Sequence, residues 1–149
     1  MSDDLDRCYV AALRILGYRF NSAVELRRKL RAKGFDDDAI APTLERLRSE
    51  KWLDDDRFAA AYVRTRLQKR IGRLRIRREL MAAGVDDETA ERALRENLTA
   101  EGEEEHLRAA YEKLARRLGE EQRDKIAARL MRQGFEASAI RALLLSSRA

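Results

Sequence analysis

The sequence predicts an all-α protein, an elongated, curved array of three tandem three-helix repeats of about 50 residues each. Two observations carry this reading. One apolar pattern recurs three times in fixed phase, marked by Gly34, Gly84 and Gly134 at a spacing of 50 residues. Within each copy the apolar residues fall at helical spacings, and no segment sustains the alternation of a strand. Leu30, Leu80 and Leu130 stand four residues before the glycines, and Leu26, Ile76 and Ile126 eight before. Phe35, Val85 and Phe135 follow directly, then Asp36, Asp86 and Glu136. Ile40, Ala90 and Ile140 come next, and Leu44, Leu94 and Leu144 close the pattern. The expected units are residues 1–50, 51–100 and 101–149.

Each element has its own justification. A first helix is expected over Leu5 to Gly17. Ser22 with Glu25 is a capping box that opens the second helix. Leu26 and Leu30 form its buried stripe, and Gly34 ends it in the left-handed position that a Cβ resists. Phe35 then folds back on the last turn. Asp36 or its neighbour caps a third helix, expected to begin late, near Asp38, so that Pro42 lies in its first turns. In the second unit the helices are expected over Phe58–Leu67, Gly72–Ala83 and Asp87–Asn97. In the third they are Leu107–Leu118, the segment around Ile126 and Leu130, and Ala137–Ser147. Tyr9, Tyr18, Tyr62 and Tyr111 are expected to pack helices together, and Trp52 to act as a wedge between units rather than a base-stacking platform.

Composition excludes much chemistry. One Cys and one His leave no Cys-based zinc site, no disulfide scaffold and no Ser-His triad. Cys8 is expected in or beside the core, and His106, next to Glu105, in solvent. There is no Gly-rich phosphate loop and no paired carboxylates in a cleft-forming context. The apolar runs are too short to cross a membrane, and the start MSDDLDR does not read as a leader peptide. The expected protein is soluble and cytosolic, holds no cofactor or metal, and catalyses nothing.

Charge points to a partner. Charged residues make up 40% of the chain, against roughly 25% in an average domain, and the formal net charge is +5. The acids bunch before helices, where they cap free N–H groups. Between Arg64 and Arg78 the bases Arg64, Arg66, Lys69, Arg70, Arg73, Arg75, Arg77 and Arg78 follow one another with no acid between them. A solvated helix face normally alternates signs, and this run does not. Leu74 and Met81 lie outside the core stripe of their helix, nearly on one line. Such an Arg-edged apolar line either binds a protein or packs against the neighbouring unit. Arg27, Arg28, Lys29, Arg31 and Lys33 make a second basic helix. The last helix of each unit is acid-tipped or apolar at its start, which disfavours reading duplex DNA with it. Arg66, Lys69, Arg70, Arg73 and Arg77, with Arg27, Arg28 and Arg31, are the candidate contacts to a partner or DNA.

Two stretches carry a resemblance: ALRILGYRFNSAVELRRKLRAKGF, and WLDDDRFAAAYVRTRLQKRIGRLRIRRELMAAGV. With Ser22, Glu25, Leu26, Leu30, Gly34 and Phe35, then Leu53, Asp54, Asp55, Phe58, Ala59, Tyr62 and Val63, then Gly72, Ile76, Glu79, Leu80 and Gly84, the chain resembles the RecX family. RLMRQGF before Ile140 fits that family's weaker C-terminal repeat. Trp52 and Lys51 depart from it, since a smaller aromatic and a Gly are common there. The chain itself is expected to be cytoplasmic and monomeric. The resemblance implies a regulator that binds RecA recombinase filaments on single-stranded DNA. It implies inhibition of recombination, ATP hydrolysis and stimulated repressor cleavage, without a cofactor or catalytic residue. A stand-alone nucleic-acid-binding protein and a pure scaffold are the competing expectations.

Overall fold

A computed structural model describes residues 2–146. Among these residues the fold is nine helices with no strand: α1 (Ser2–Tyr18), α2 (Ala23–Ala32), α3 (Asp37–Ser49), α4 (Asp55–Gln68), α5 (Arg73–Ala82), α6 (Asp87–Asn97), α7 (Ala100–Leu118), α8 (Arg123–Arg132) and α9 (Ala137–Ser146). The last helix was expected to reach Ser147, which lies outside the described residues. Three separate cores hold the helices in threes. Cys8, Ala12, Leu26, Leu30, Ile40 and Leu47 centre the first. Phe58, Val63, Ile76, Leu80 and Leu94 centre the second. Leu107, Leu114, Ile126, Leu130 and Ile140 centre the third. Leu53, beyond α3, still belongs to the first core. The accessible surface is 9547 Å², against roughly 7,800 Å² for a compact monomer of this mass. Three small cores in a row, not one large one, explain the excess.

The glycine turns have one geometry. In each, the amide after Gly reaches back to the buried Leu of the preceding helix: Phe35 to Leu30 (3.2 Å), Val85 to Leu80 (3.0 Å) and Phe135 to Leu130 (3.1 Å). The glycine amide itself bonds three residues back, to Arg31, Met81 and Met131. This double closure needs a left-handed residue between, and φ is +99°, +87° and +100° at Gly34, Gly84 and Gly134. Lys51 (φ 65°) and Arg70 (φ 60°) adopt the same region without being glycine, at the turns that end α3 and α4. The capping box of Ser22 and Glu25 is present, and Asp36 caps α3 through the Ala39 amide. α3 begins at Asp37, one residue before expectation, and Pro42 lies in its second turn. Its missing N–H would have met the carbonyl of Asp38, an exposed residue whose oxygen water can satisfy.

Middle helices of successive units meet end to end. The Gly72 amide donates to Gln133 O (2.7 Å) and the Leu74 amide to Gly134 O (3.0 Å). The free first-turn donors of α5 are thus satisfied by the last carbonyls of α8. One unit earlier, Ser22 Oγ donates to Ala83 O at 2.5 Å, and Arg28 Nη1 to Ala82 O at 3.3 Å. Ser22 and Gly72, like Ala83 and Gln133, are 50 residues apart, so one junction occurs twice. The dipoles of α8, α5 and α2 run head to tail through it, which is the favourable arrangement.

Three side chains depart from expectation. His106 is buried, not solvated. α7 begins seven residues earlier than its clear apolar pattern, capped by Thr99, and this turns His106 inward beside Leu107 and Ala110. Its Nε2–H donates to Ile71 O at 2.8 Å, and its ring lies 5.2 Å from that of Phe135, so it ties the second unit to the third. Trp52 is 55% exposed and Tyr18 91% exposed. Both follow or end a helix on its outer side, so neither wedges nor packs. Tyr9, Tyr62 and Tyr111 do pack against the first, second and third cores.

Burial lowers the His106 pKa, the Ile71 hydrogen bond opposes that in part, and Arg70 adds to it. The folded state therefore excludes a proton that the unfolded chain accepts near the ordinary histidine value of about 6.5. Its stabilising contribution is complete above that pH and is lost as pH falls below it. This is the chain's only histidine. The urea midpoint should drop between pH 7.5 and 5.5 in the native protein and stay nearly level in the His106→Gln variant. Equal slopes in both would exclude His106 as the source.

Candidate partner-binding surface

The basic run spans the end of α4, the α4–α5 turn and the outer part of α5. Four of its seven guanidinium groups meet carboxylates, three of them on another helix. Arg66 lies flat against Glu79, with Nε to Oε1 and Nη2 to Oε2 both at 2.8 Å. Tyr62 OH donates to the same carboxylate at 3.0 Å, and Arg75 Nε at 3.2 Å. Burial alone would raise the Glu79 pKa, but the hydrogen bonds from Arg66 and Tyr62 outweigh it and hold the carboxyl below its ordinary value. Arg73 reaches Glu91 (2.5 Å) and, across the unit junction, Glu103 (3.8 Å). Arg77 reaches Asp87 (2.5 Å) and Glu91 (3.2 Å).

In the first unit Asp37 takes Arg31 at 2.6 Å and Arg27 at 3.2 Å. These hydrogen bonds, that from Arg31 first, hold its carboxyl below the ordinary range. The pair Arg27–Asp37 recurs 50 residues on as Arg77–Asp87, so it belongs to the repeat. Of the eight candidate contacts, Arg66, Arg73, Arg77, Arg27 and Arg31 are thus joined to internal carboxylates, and Arg28 serves a unit junction. Lys69 and Arg70 remain, both exposed at the α4–α5 turn, their side chains making no hydrogen bond or ion pair among the described residues.

Two further cations of the same run, named in it but not chosen as candidate contacts, share that condition: Arg64 on α4 and Arg78 on α5, both exposed. Arg78 falls between Leu74 (39% exposed) and Met81 (51% exposed). Positions 74, 78 and 81 form one stripe of α5, pointing away from the second core. Leu74 and Met81 both keep exposed area, although the Leu74 amide meets the third unit at Gly134 O. The surface is therefore an exposed apolar-basic stripe on α5, following the Lys69–Arg70 turn. It is open and shallow, suited to meeting a large partner and without the enclosure that chemistry on a small molecule needs. Among the described residues no group of His, Cys, Asp or Glu is placed to hold a metal, and no helix is long and apolar enough to cross a membrane.

Comparison with known proteins gives the fold a family. The family model of the first three-helix domain of RecX matches residues 8–47, and that of the second three-helix domain matches residues 54–94. The chain belongs to the RecX family. The regulatory protein RecX of Prosthecochloris aestuarii is 38% identical over 148 residues, spanning 97% of this chain and 96% of that protein. The regulatory protein RecX of Geobacillus kaustophilus is 36% identical over 148 residues, and the chain spans 55% of that protein's length. The crystal structure of RecX from Lactobacillus salivarius superposes with a TM-score of 0.85 at 29% identity, covering 98% of this chain and 97% of that one. The two matched RecX domains end and begin on either side of the turn at Lys51, and each holds one glycine-marked turn.

Proposed function

We propose that this RecX-family chain is a cytoplasmic regulator that binds RecA recombinase filaments on single-stranded DNA and lowers their recombination, ATPase and coprotease activities. It acts by occupancy and not by catalysis. The observation that carries this is the outward stripe of Leu74, Arg78 and Met81 beside the unpaired Arg64, Lys69 and Arg70. Exposed guanidinium and ammonium groups fit a groove lined by acidic side chains and phosphates, while the apolar pair supplies area that excludes water. Three repeat units in line, taken as 1–50, 51–100 and 101–149, make a body long enough to touch successive protomers, so that weak contacts add through effective concentration.

The test is a recombinase ATPase assay on single-stranded DNA with this protein titrated in. A dose-dependent fall is expected. At substoichiometric ratio it would mean interference with filament growth, and near stoichiometry it would mean coating. Binding to bare single-stranded DNA, measured across a salt series, tests the competing reading. Affinity for bare DNA equal to that for the coated filament, with unchanged ATPase, would replace the filament by DNA as the target.

A further inference from the structure

The end-to-end junction between middle helices occurs twice inside the chain, and its two halves stand unused at the two ends. A junction has a seat, the glycine turn that closes one middle helix. It also has a guest, the first turn of the middle helix one unit earlier in the chain. At Gly84 the space a Cβ would fill is taken by Val24, and at Gly134 by Arg75. At Gly34 nothing lies within 4 Å of that position, although φ is +99° as at the other two. Gly34 is therefore a finished seat with no guest. The unused guest is the start of α8. Gln122 occupies the position of Ser22 and Gly72, and offers α8 no side-chain cap.

We propose that Gly34 of one copy receives the α8 start of a second copy, so that chains join head to tail and continue the file of middle helices from molecule to molecule. Continuity with the two internal junctions gives the geometry. Charge adds one pairing: Lys33 of the seat, which has no ion pair among the described residues, against Glu120 and Glu121 of the guest, all exposed. Arg31 is held by Asp37, and Arg28 turns to the other junction. The Gln122 side-chain amide can donate to the Lys33 carbonyl as the Ser22 hydroxyl donates to that of Ala83; the Gln122 backbone N–H is held by Gly119 O. Such a contact is heterologous and does not close on itself, so it yields open rows, not a symmetric dimer. Its small area keeps it weak in dilute solution. It stands whether or not the chain binds a filament. On a linear polymer it would make neighbouring copies bind cooperatively.

Sedimentation equilibrium of the full chain in low salt, at concentrations on the order of 0.1 to 1 mM, provides the test. The weight-average mass of the native protein should rise above 17.2 kDa with concentration. The Lys33→Glu variant and the Glu120→Lys, Glu121→Lys variant should each associate at least about fivefold more weakly. An equimolar mixture of the two should recover much of the loss, because each reversed end then meets its opposite. As an independent trap, oxidation of the Lys33→Cys, Gln122→Cys double variant should give a ladder of disulfide-linked oligomers. Each single variant should stop at dimers, and native Cys8 is buried. A native mass fixed at that of the monomer with no ladder from the double variant would overturn the proposal. So would association that neither charge variant weakens.

Discussion

Gly72→Ala is expected to detach the third unit from the second. The backbone at Gly72 is ordinary, with φ −81°, so alanine brings no conformational strain. The obstacle is space, since an added Cβ would sit 2.5 Å from Gly134 O and 2.6 Å from Phe135 N. These are backbone atoms of the adjoining turn and cannot step aside as a flexible side chain can. The junction must open, and with it go the Gly72–Gln133 and Leu74–Gly134 hydrogen bonds. A cost of about 3 kcal/mol is expected. A unit of this size has little core of its own, so its stability depends on its neighbour. Urea unfolding followed by circular dichroism should split into two steps, the earlier one carrying about a third of the helical signal, the share of α7, α8 and α9. Two comparisons isolate the cause. Gly34→Ala meets no atom but takes the left-handed backbone, and should cost only about 1 kcal/mol. Gly17→Ala meets neither obstacle and should be neutral or slightly stabilising. A single unshifted transition in the Gly72→Ala variant would show that the junction does not couple the units.

The joint replacement of Arg64, Lys69, Arg70 and Arg78 by Ala should abolish recombinase inhibition while leaving the fold intact. None of the four side chains has an internal hydrogen bond or ion pair among the described residues, so their loss should leave the urea midpoint nearly where it was. Each charged contact to a partner contributes on the order of 1 kcal/mol. The half-inhibitory concentration should therefore rise by about a hundredfold or more. The counterpart removes Arg66, Arg73 and Arg77. It strips Glu91 and Asp87 of their partners, leaves Glu79 only Tyr62 and Arg75, and should lower the urea midpoint. Inhibition retained by the first variant would move the docking surface elsewhere on the chain.

The fold was legible because its determinants are local. Gly34, Leu30 and Phe35 define a turn within six residues, and three copies in phase make the pattern unmistakable. Helix starts were clear where an Asp or Ser precedes an apolar stripe, as at Ser22 and Asp36. The start of α7 was not, because its first turns read AEGEEEH, all polar or small, and this hid the inward side of His106. The binding surface was half legible. The sequence shows eight bases in a row without an acid, but not that Glu79, Asp87, Glu91 and Glu103 come back to them from α5, α6 and α7. Pairing across 10 to 18 residues, as in Arg77–Asp87 and Arg73–Glu91, depends on how helices turn against one another, which periodicity along one helix does not report. The internal junctions left only a faint mark, a small residue at positions 22 and 72. Lys51 was noted as standing where relatives have Gly, and its φ of 65° supplies the reason.

The three cores do not merge, and this shapes the mechanics of the molecule. Each core is closed by its own three helices. The two joints between cores rest on a few hydrogen bonds, the Arg73–Glu103 pair and the packing of Val24 and Arg75 against the glycine turns. Bending therefore concentrates at the joints, as in a folding ruler, and the curvature of the whole is set there. Small changes of side-chain volume around residues 24 and 75 can retune that curvature without disturbing a single core, so one architecture can be matched to polymers of different pitch.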